Sequence, residues 1–442
     1  MESSASPPRQ AELSPPATDT AARPALLRVI GRWSLTALVL NSIVGSGIFG
    51  LPSTLAGLVG PWSPVAVLIA GLAIFTIALC FAEVGSRFDR SGGPYLYTRE
   101  AFGPALGFHI GWLHIWTRIF SGAALLNVLV AYLAVLFPVL GTAVGRALVM
   151  ILGMLFVTVI NVVGVRQASW TVNAFTIAKL LPLLLLLAIG LPNLRHDVLV
   201  TQFVPRSEWT DAVLILLFAY GGFESSALAA GEVRDPKRDT PFAILLAMTV
   251  VTLLYASVQL AVVGVVPFVA KETAPVSTAL RILLGSGGAT LGAVAVVISV
   301  YGWLSGFALA TPRISHAMGE RGELPSFFAR VHQRYRTPYT AIIFNSVAVL
   351  TLALFSGFVQ AATISVVTRL GIFALTCVAL IVFRKRLGAA PYAAPAGPAL
   401  AVIGVAFCAY LLSTRTLSEA WMLPVLMLIA AAIWRFRPAR HA

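Results

Sequence analysis

Apolar runs of membrane-spanning length recur from residue 33 to residue 436, separated by short stretches rich in Arg, Pro and Gly. A bilayer core takes roughly 20 apolar residues per helix. Because lipid offers no hydrogen bonds, a chain built this way is held to helices or a closed barrel. The runs fall at about 33–57, 62–86, 105–136, 146–164, 170–190, 209–231, 241–266, 288–311, 338–356, 361–383, 397–414 and 420–436. The expectation is an all-α membrane protein of twelve spans. The third run is long enough to continue beyond the bilayer, and Arg313–Glu320 could prolong the eighth.

Only 11% of the residues are charged and the mean hydropathy is +0.89, against about 25% charge in a soluble domain. The net charge of +14 does not point to nucleic acid, because the basic residues lie between apolar runs and not along one face or tail. With both termini cytosolic, only Arg146, Arg195, Arg206, Lys271, Arg281 and Arg415 fall in external connections, and Arg118, Lys179 and Arg369 lie within spans. The other basic residues are on the cytosolic side, as the positive-inside rule requires. The expected location is the inner membrane of a bacterium. Residues 1–28, rich in Pro, Ser and Ala, read as a disordered cytosolic tail and not a signal peptide. Cys80, Cys377 and Cys408 sit in apolar runs, the histidines lack ligand spacing, and neither metal nor cofactor is expected. No Ser-His-Asp set or phosphate loop suggests an enzyme.

Two runs carry glycine clusters where an unbroken helix should pass. The first holds Asn41-Ser42-Ile43-Val44-Gly45-Ser46-Gly47-Ile48-Phe49-Gly50, and the sixth holds Phe218-Ala219-Tyr220-Gly221-Gly222-Phe223-Glu224-Ser225. Both lie near the middle of their runs, in corresponding positions of two halves with opposite direction across the membrane. Matched interruptions of this kind point to a transporter site between inverted repeats. A helix restarting after Gly45 presents the free amides of Ser46, Gly47 and Ile48 and a positive dipole end, which suits a carboxylate. A helix ending near Phe218–Gly221 leaves carbonyls that suit an ammonium group. Together they describe a site for an α-amino acid. The competing explanation is that the glycines only permit close helix packing.

The ordered motifs resemble those of the amino acid–polyamine–organocation (APC) permeases. They are Gly45-Ser46-Gly47-Ile48-Phe49, then Ala82-Glu83 with Ser91-Gly92-Gly93-Pro94-Tyr95-Leu96-Tyr97, and Gly107-Phe108 with Gly111-Trp112. Ala230-Gly231-Glu232-Val233-Arg234-Asp235-Pro236-Lys237-Arg238-Asp239-Thr240-Pro241 follows the sixth run, and Pro312-Arg313, Met318, Gly322, Leu324-Pro325 and Thr337-Pro338 follow the eighth. Asp89-Arg90 departs from the pair more usual there, Pro-Arg. The resemblance implies a LeuT-type 5+5 inverted repeat. Its ten-helix core would occupy 29–386, with repeats at about 33–190 and 209–383, and two further helices would lie in 387–442. It also implies substrate contacts from Ile43, Gly45, Ser46, Gly47, Phe218, Ala219, Gly221 and Gly222, with the carboxylate on the Ser46 and Gly47 amides and the amine on the carbonyls of Ile43, Phe218 and Gly221. Phe218 stands where arginine/agmatine antiporters of the family carry a covering tryptophan, and Glu224 where they carry a glutamate linked to pH response.

Lys179 lies nine residues into the fifth run, roughly 14 Å deep at 1.5 Å per residue. A buried ammonium is costly and a functional candidate by default. The resemblance implies proton coupling through Lys179; the alternative is a permanently charged brace on the carbonyls of the first span. Glu224 either titrates, faces a cationic substrate group or pairs with Arg118. Arg118 and Arg369 suit structural bonds to carbonyls or a carboxylate, and Glu83 a structural partnership with loop arginines. Trp112, Trp116, Tyr132, Trp303 and Phe307 lie on the third and eighth runs, which the resemblance implies wall the pocket, although lipid or core packing is the simpler reading of any one of them. The expectation is a secondary amino acid permease coupled to protons. A proton-independent exchanger and a non-transporting amino acid sensor are the alternatives.

Overall fold

The computed structural model describes residue 28 and residues 30–163, 169–195 and 204–437. The expected disordered tail lies outside the described residues, apart from position 28. The described chain is all-helical, its one extended contact being an isolated bridge between Ile30 and Val233. In order, the helices are α1 (Arg32–Ile43), α2 (Gly47–Val59), α3 (Ser63–Gly85), α4 (Gly93–Phe102), α5 (Pro104–Leu136), α6 (Ala143–Val163), α7 (Ser169–Gly190) and α8 (Arg206–Tyr220). There follow α9 (Ser225–Leu228), α10 (Pro236–Val265), α11 (Pro275–Leu284), α12 (Ser286–Glu320), α13 (Tyr339–Phe355), α14 (Phe358–Leu387), α15 (Gly397–Ser413), α16 (Leu417–Ala420) and α17 (Met422–Phe436).

Among the described residues, eight helical segments are long and apolar enough to cross a membrane, and four shorter apolar helices accompany them. Every expected run is occupied by helix, and the eighth does continue to Glu320. At 33 and 35 residues, α5 and α12 reach about 50 Å, well past a hydrocarbon core of roughly 30 Å. Two helices stand where connections were expected. The first, α4, opens on Gly93-Pro94, a good helix start because proline has no amide to strand there. The second, α11, opens on Pro275 and packs back on α12.

Burial sorts the helices into centre and rim. The most apolar stretch of Arg206–Leu228 is 89% buried and that of Ala143–Val163 only 22%. The interrupted segment is therefore central, and α6 has the apolar outer face of a lipid-exposed helix. α1 packs on α10 and α7, α2 on α8, and α3 on α10, while α5, α12 and α14 form the facing wall. Trp33, Trp62 and Trp421 stand exposed at helix ends, where aromatic rings suit the lipid interface.

The face carrying Ile30, Arg87 and Arg384, here called the basic face, is cross-tied. The Ile30 amide donates to the Glu232 carbonyl and the Arg234 amide to the Ile30 carbonyl, each at 2.9 Å. Glu83, fully buried at the end of α3, accepts two hydrogen bonds from Arg384 at 2.7 and 2.6 Å and one from the Ala394 amide at 2.9 Å. This fixes the chain after α14 against α3. Removing one partner of a buried ion pair costs about 3–5 kcal/mol, because the other charge stays buried. Arg384→Ala should therefore lower the melting temperature of the detergent-purified protein by several degrees, and adding Glu83→Gln should recover part of the loss. An unchanged melt for Arg384→Ala would remove this tie from the account.

Candidate functional site

Both glycine clusters interrupt their helices. α1 ends at Ile43 and α2 restarts at Gly47, while α8 ends at Tyr220 and α9 begins at Ser225. Gly222 adopts φ +123°, a backbone region that side chains rarely enter, and a side-chain carbon there would collide with the Ser42 carbonyl oxygen. A side-chain carbon on Gly47 would come within 2.7 Å of the Ala219 α-carbon. The two interruptions thus touch through bare backbone, which only glycine permits.

At the first break the donors face inward without partners. The amides of Ser46, Gly47 and Ile48 have none among the described residues, and the buried Ser46 hydroxyl has none either. The carbonyl side is largely satisfied. Lys179, wholly buried, donates from Nζ to the carbonyls of Asn41 at 2.7 Å and Val44 at 2.6 Å. The Ser299 hydroxyl lies 3.2 Å from the carbonyls of both Val44 and Gly45. The Tyr255 hydroxyl reaches the Ile43 carbonyl at 3.0 Å and the Ala219 carbonyl at 3.4 Å, so it bridges the two breaks. Ile43 also accepts from the Gly45 amide at 2.7 Å, which occupies its second lone pair. The carbonyls of Ser42 and Gly221 have no partner among the described residues, and that of Phe218 accepts only the Gly221 amide, at 3.2 Å.

Ser42, Ile43, Gly45, Ser46, Gly47, Phe218, Gly221 and Gly222 line one small hollow of about 20 Å³, with Arg118, Ser121, Leu125, Trp303 and Arg369 completing its wall. Ala219 stays behind it, packed on Gly47. Phe218 meets Phe358 edge to face, with ring centres 5.8 Å apart. A larger cavity of about 540 Å³ adjoins the hollow and shares Ser42, Arg118 and Trp303 with it. Its wall includes Ile30, Ser91, Tyr95, Glu232 and Arg321, so this vestibule reaches the basic face.

Three further buried charges surround the hollow, one in the second break and two on helices. Glu224, just past the α8 end, accepts the Gly222 amide at 2.9 Å. Its ion-pair partner is Arg369 on α14, at 3.8 Å, and not Arg118. Arg369 makes only long contacts to the Leu217 carbonyl and the Ser121 hydroxyl, both 3.5 Å, and its guanidinium occupies the space a side chain on Gly221 would need. Arg118 on α5 donates from Nε to the Thr311 hydroxyl at 2.8 Å and lies 5.2 Å from the centre of the Trp303 ring. Trp303 stacks in turn on Phe307.

Long apolar helices around two interrupted ones define a multi-pass membrane protein with a central hollow. Residues 30–433 match the amino acid permease family, and the chain belongs to it. It is 29% identical to the "Serine/threonine exchanger SteT" of Bacillus subtilis (strain 168), over 92% of this chain and 95% of that protein. The "Branched-chain amino acid permease BcaP" of the same organism is 28% identical, over 93% and 92%. The "Methylthioribose transporter" is 26% identical, over 92% and 91%.

Sequence reasoning passed over Ser42, Ser121, Tyr255 and Ser299. Their only signal was a polar group inside an apolar run, which many spans carry. Gly47→Val, by forcing Ala219 away, should weaken binding of every substrate alike, by at least about tenfold. Thermal-shift titrations with several ligands check this, and a defect confined to one substrate would place Gly47 outside the common contact.

Proposed function

We propose that this chain is a twelve-span secondary active transporter that moves amino acids across the inner membrane of a bacterium by alternating access. The observation that carries the reading is the pair of touching helix breaks, one with free amides and a free hydroxyl, the other with free carbonyls, around one hollow. A zwitterion fits that polarity. Its carboxylate would lie on the amides of Ser46, Gly47 and Ile48, and its amine on the carbonyls of Ser42, Phe218 and Gly221. Ile43, already accepting twice, serves better as a fixed support held by Tyr255.

Residues 29–386 form the ten-helix transport core in this reading, with repeats at about 33–190 and 209–383, and 387–442 add two helices outside it. Both termini are cytosolic, as the basic face suggests, and the vestibule is then the inward path. Alternating access would move α1, α2, α3, α8, α9 and α10 against α5, α6, α7 and α12.

Proton coupling, as symport, is supported by Lys179. Its ammonium ties two carbonyls of the first break, a few residues before the amides that take the substrate. Loss of its proton would weaken both ties and loosen the break. The same two bonds also favour a second reading, a proton-independent exchanger in which Lys179 is a permanent brace. Uptake into proteoliposomes separates the two. Under proton coupling, Lys179→Met should abolish uptake driven by a pH gradient while substrate binding partly persists. An unaltered response to the gradient in that variant would assign Lys179 to bracing alone. Ligand binding with no flux in either direction would favour the sensor.

A further inference from the structure

The wall of the hollow carries two guanidinium groups and no carboxylate. Arg118 and Arg369 are 6% and 4% exposed. Glu224 stands behind Arg369, with one oxygen on the Gly222 amide and the other 3.8 Å from the arginine, so it offsets one of the two charges. Arg118 has no ion-pair partner among the described residues; it holds one hydroxyl with Nε and rests on an aromatic face. Neither of its Nη groups has a hydrogen-bond acceptor among the described residues, and the Nε of Arg369 is also without one. An uncompensated cation at this depth is costly, and five fork-shaped donors are suited to a planar anion.

We infer that Arg118 and Arg369 form a side-chain subsite for a second carboxylate, and that the transported class is the acidic α-amino acids. The inference rests on the permease reading. The α-carboxylate has its own neutral cradle in the Ser46, Gly47 and Ile48 amides, so the arginines remain for a different group. Arg118 borders both the hollow and the vestibule, and an acid arriving through the vestibule would meet it before Arg369. Glu224, bonded to backbone and ion-paired to Arg369, leaves no free carboxylate in the wall for a cationic side chain.

Counterflow with the full-length protein in liposomes tests this, using labelled glutamate and aspartate beside glutamine and asparagine. Each acid should exceed its own amide by at least about tenfold, since the amide keeps the shape and loses only the charge-assisted bonds. Arg118→Gln should remove that preference, read as the ratio of acid to amide flux within the same variant, and Arg118→Lys should restore part of it. Amides carried as well as the acids would overturn the subsite and leave the permease intact, as would an acid preference unaltered in a well-folded Arg118→Gln. Failure to move or bind any amino acid would instead overturn the permease reading beneath it.

Discussion

A helix interrupted inside an apolar slab strands backbone groups that lipid cannot satisfy, at several kcal/mol each. The arrangement of this protein's centre follows from how that cost is met. Three side chains from three helices, Lys179 on α7, Tyr255 on α10 and Ser299 on α12, converge on the carbonyls left by the first break. Tyr255 also reaches the second break, and Gly47 lies directly on Ala219. The interruptions are therefore a braced element with a defined shape. What the brace leaves unmet is one-sided: amides and the Ser46 hydroxyl at one break, carbonyls of Ser42 and Gly221 at the other. That residue of unsatisfied polarity is what a ligand can complete.

The buried charges form a graded series. Glu83 receives three hydrogen bonds and ties α3 to the chain beyond α14, which is purely structural. Glu224 is held by an amide and a more distant guanidinium. Lys179 meets only carbonyl dipoles, and Arg118 only a hydroxyl and an aromatic face. Arg118 and Arg369 are the charged side chains in the wall of the hollow, and Glu224 is bonded to that wall at Gly222. Arg118, which no carboxylate of the described residues neutralises, therefore borders the space between the two helix breaks.

Much of this was legible in the residues because the bilayer imposes simple rules. Apolar length marked the helices, and paired glycine clusters marked the breaks at 44–46 and 221–224. Lys179 stood out as a charge in an apolar run, and its two carbonyl partners are those of the first span. Other features were not legible because they depend on contacts between distant segments. Nothing in the local sequence distinguishes Tyr255 or Ser299 from other polar residues in spans. Glu224 pairs with Arg369, 145 positions on and not with Arg118, because α14 and not α5 supplies the nearer guanidinium. The helix α11 was missed because its ten residues are too few to span and lie between turn-forming positions.

The carbonyls that hold Lys179 and the free amides of Ser46, Gly47 and Ile48 share one short stretch of chain, from Asn41 to Ile48, and this limits how a proton could act at all. A neutral amine retains two N–H donors, so deprotonation would not erase the bonds to Asn41 and Val44. It would remove their charge assistance, which roughly doubles the strength of such a bond. The difference available for coupling is thus about 1–3 kcal/mol, the usual size of a linkage between two sites. That is enough to bias an equilibrium between two positions of α1 by about 5–150-fold. It is not enough to drive α1 alone, because Ser299 also holds the Val44 carbonyl, and Tyr255 the neighbouring Ile43 carbonyl, without carrying charge. On the proposed function, any proton effect would have to work together with a ligand on the free amides of Ser46, Gly47 and Ile48, so that the two occupants bias one strand of backbone jointly.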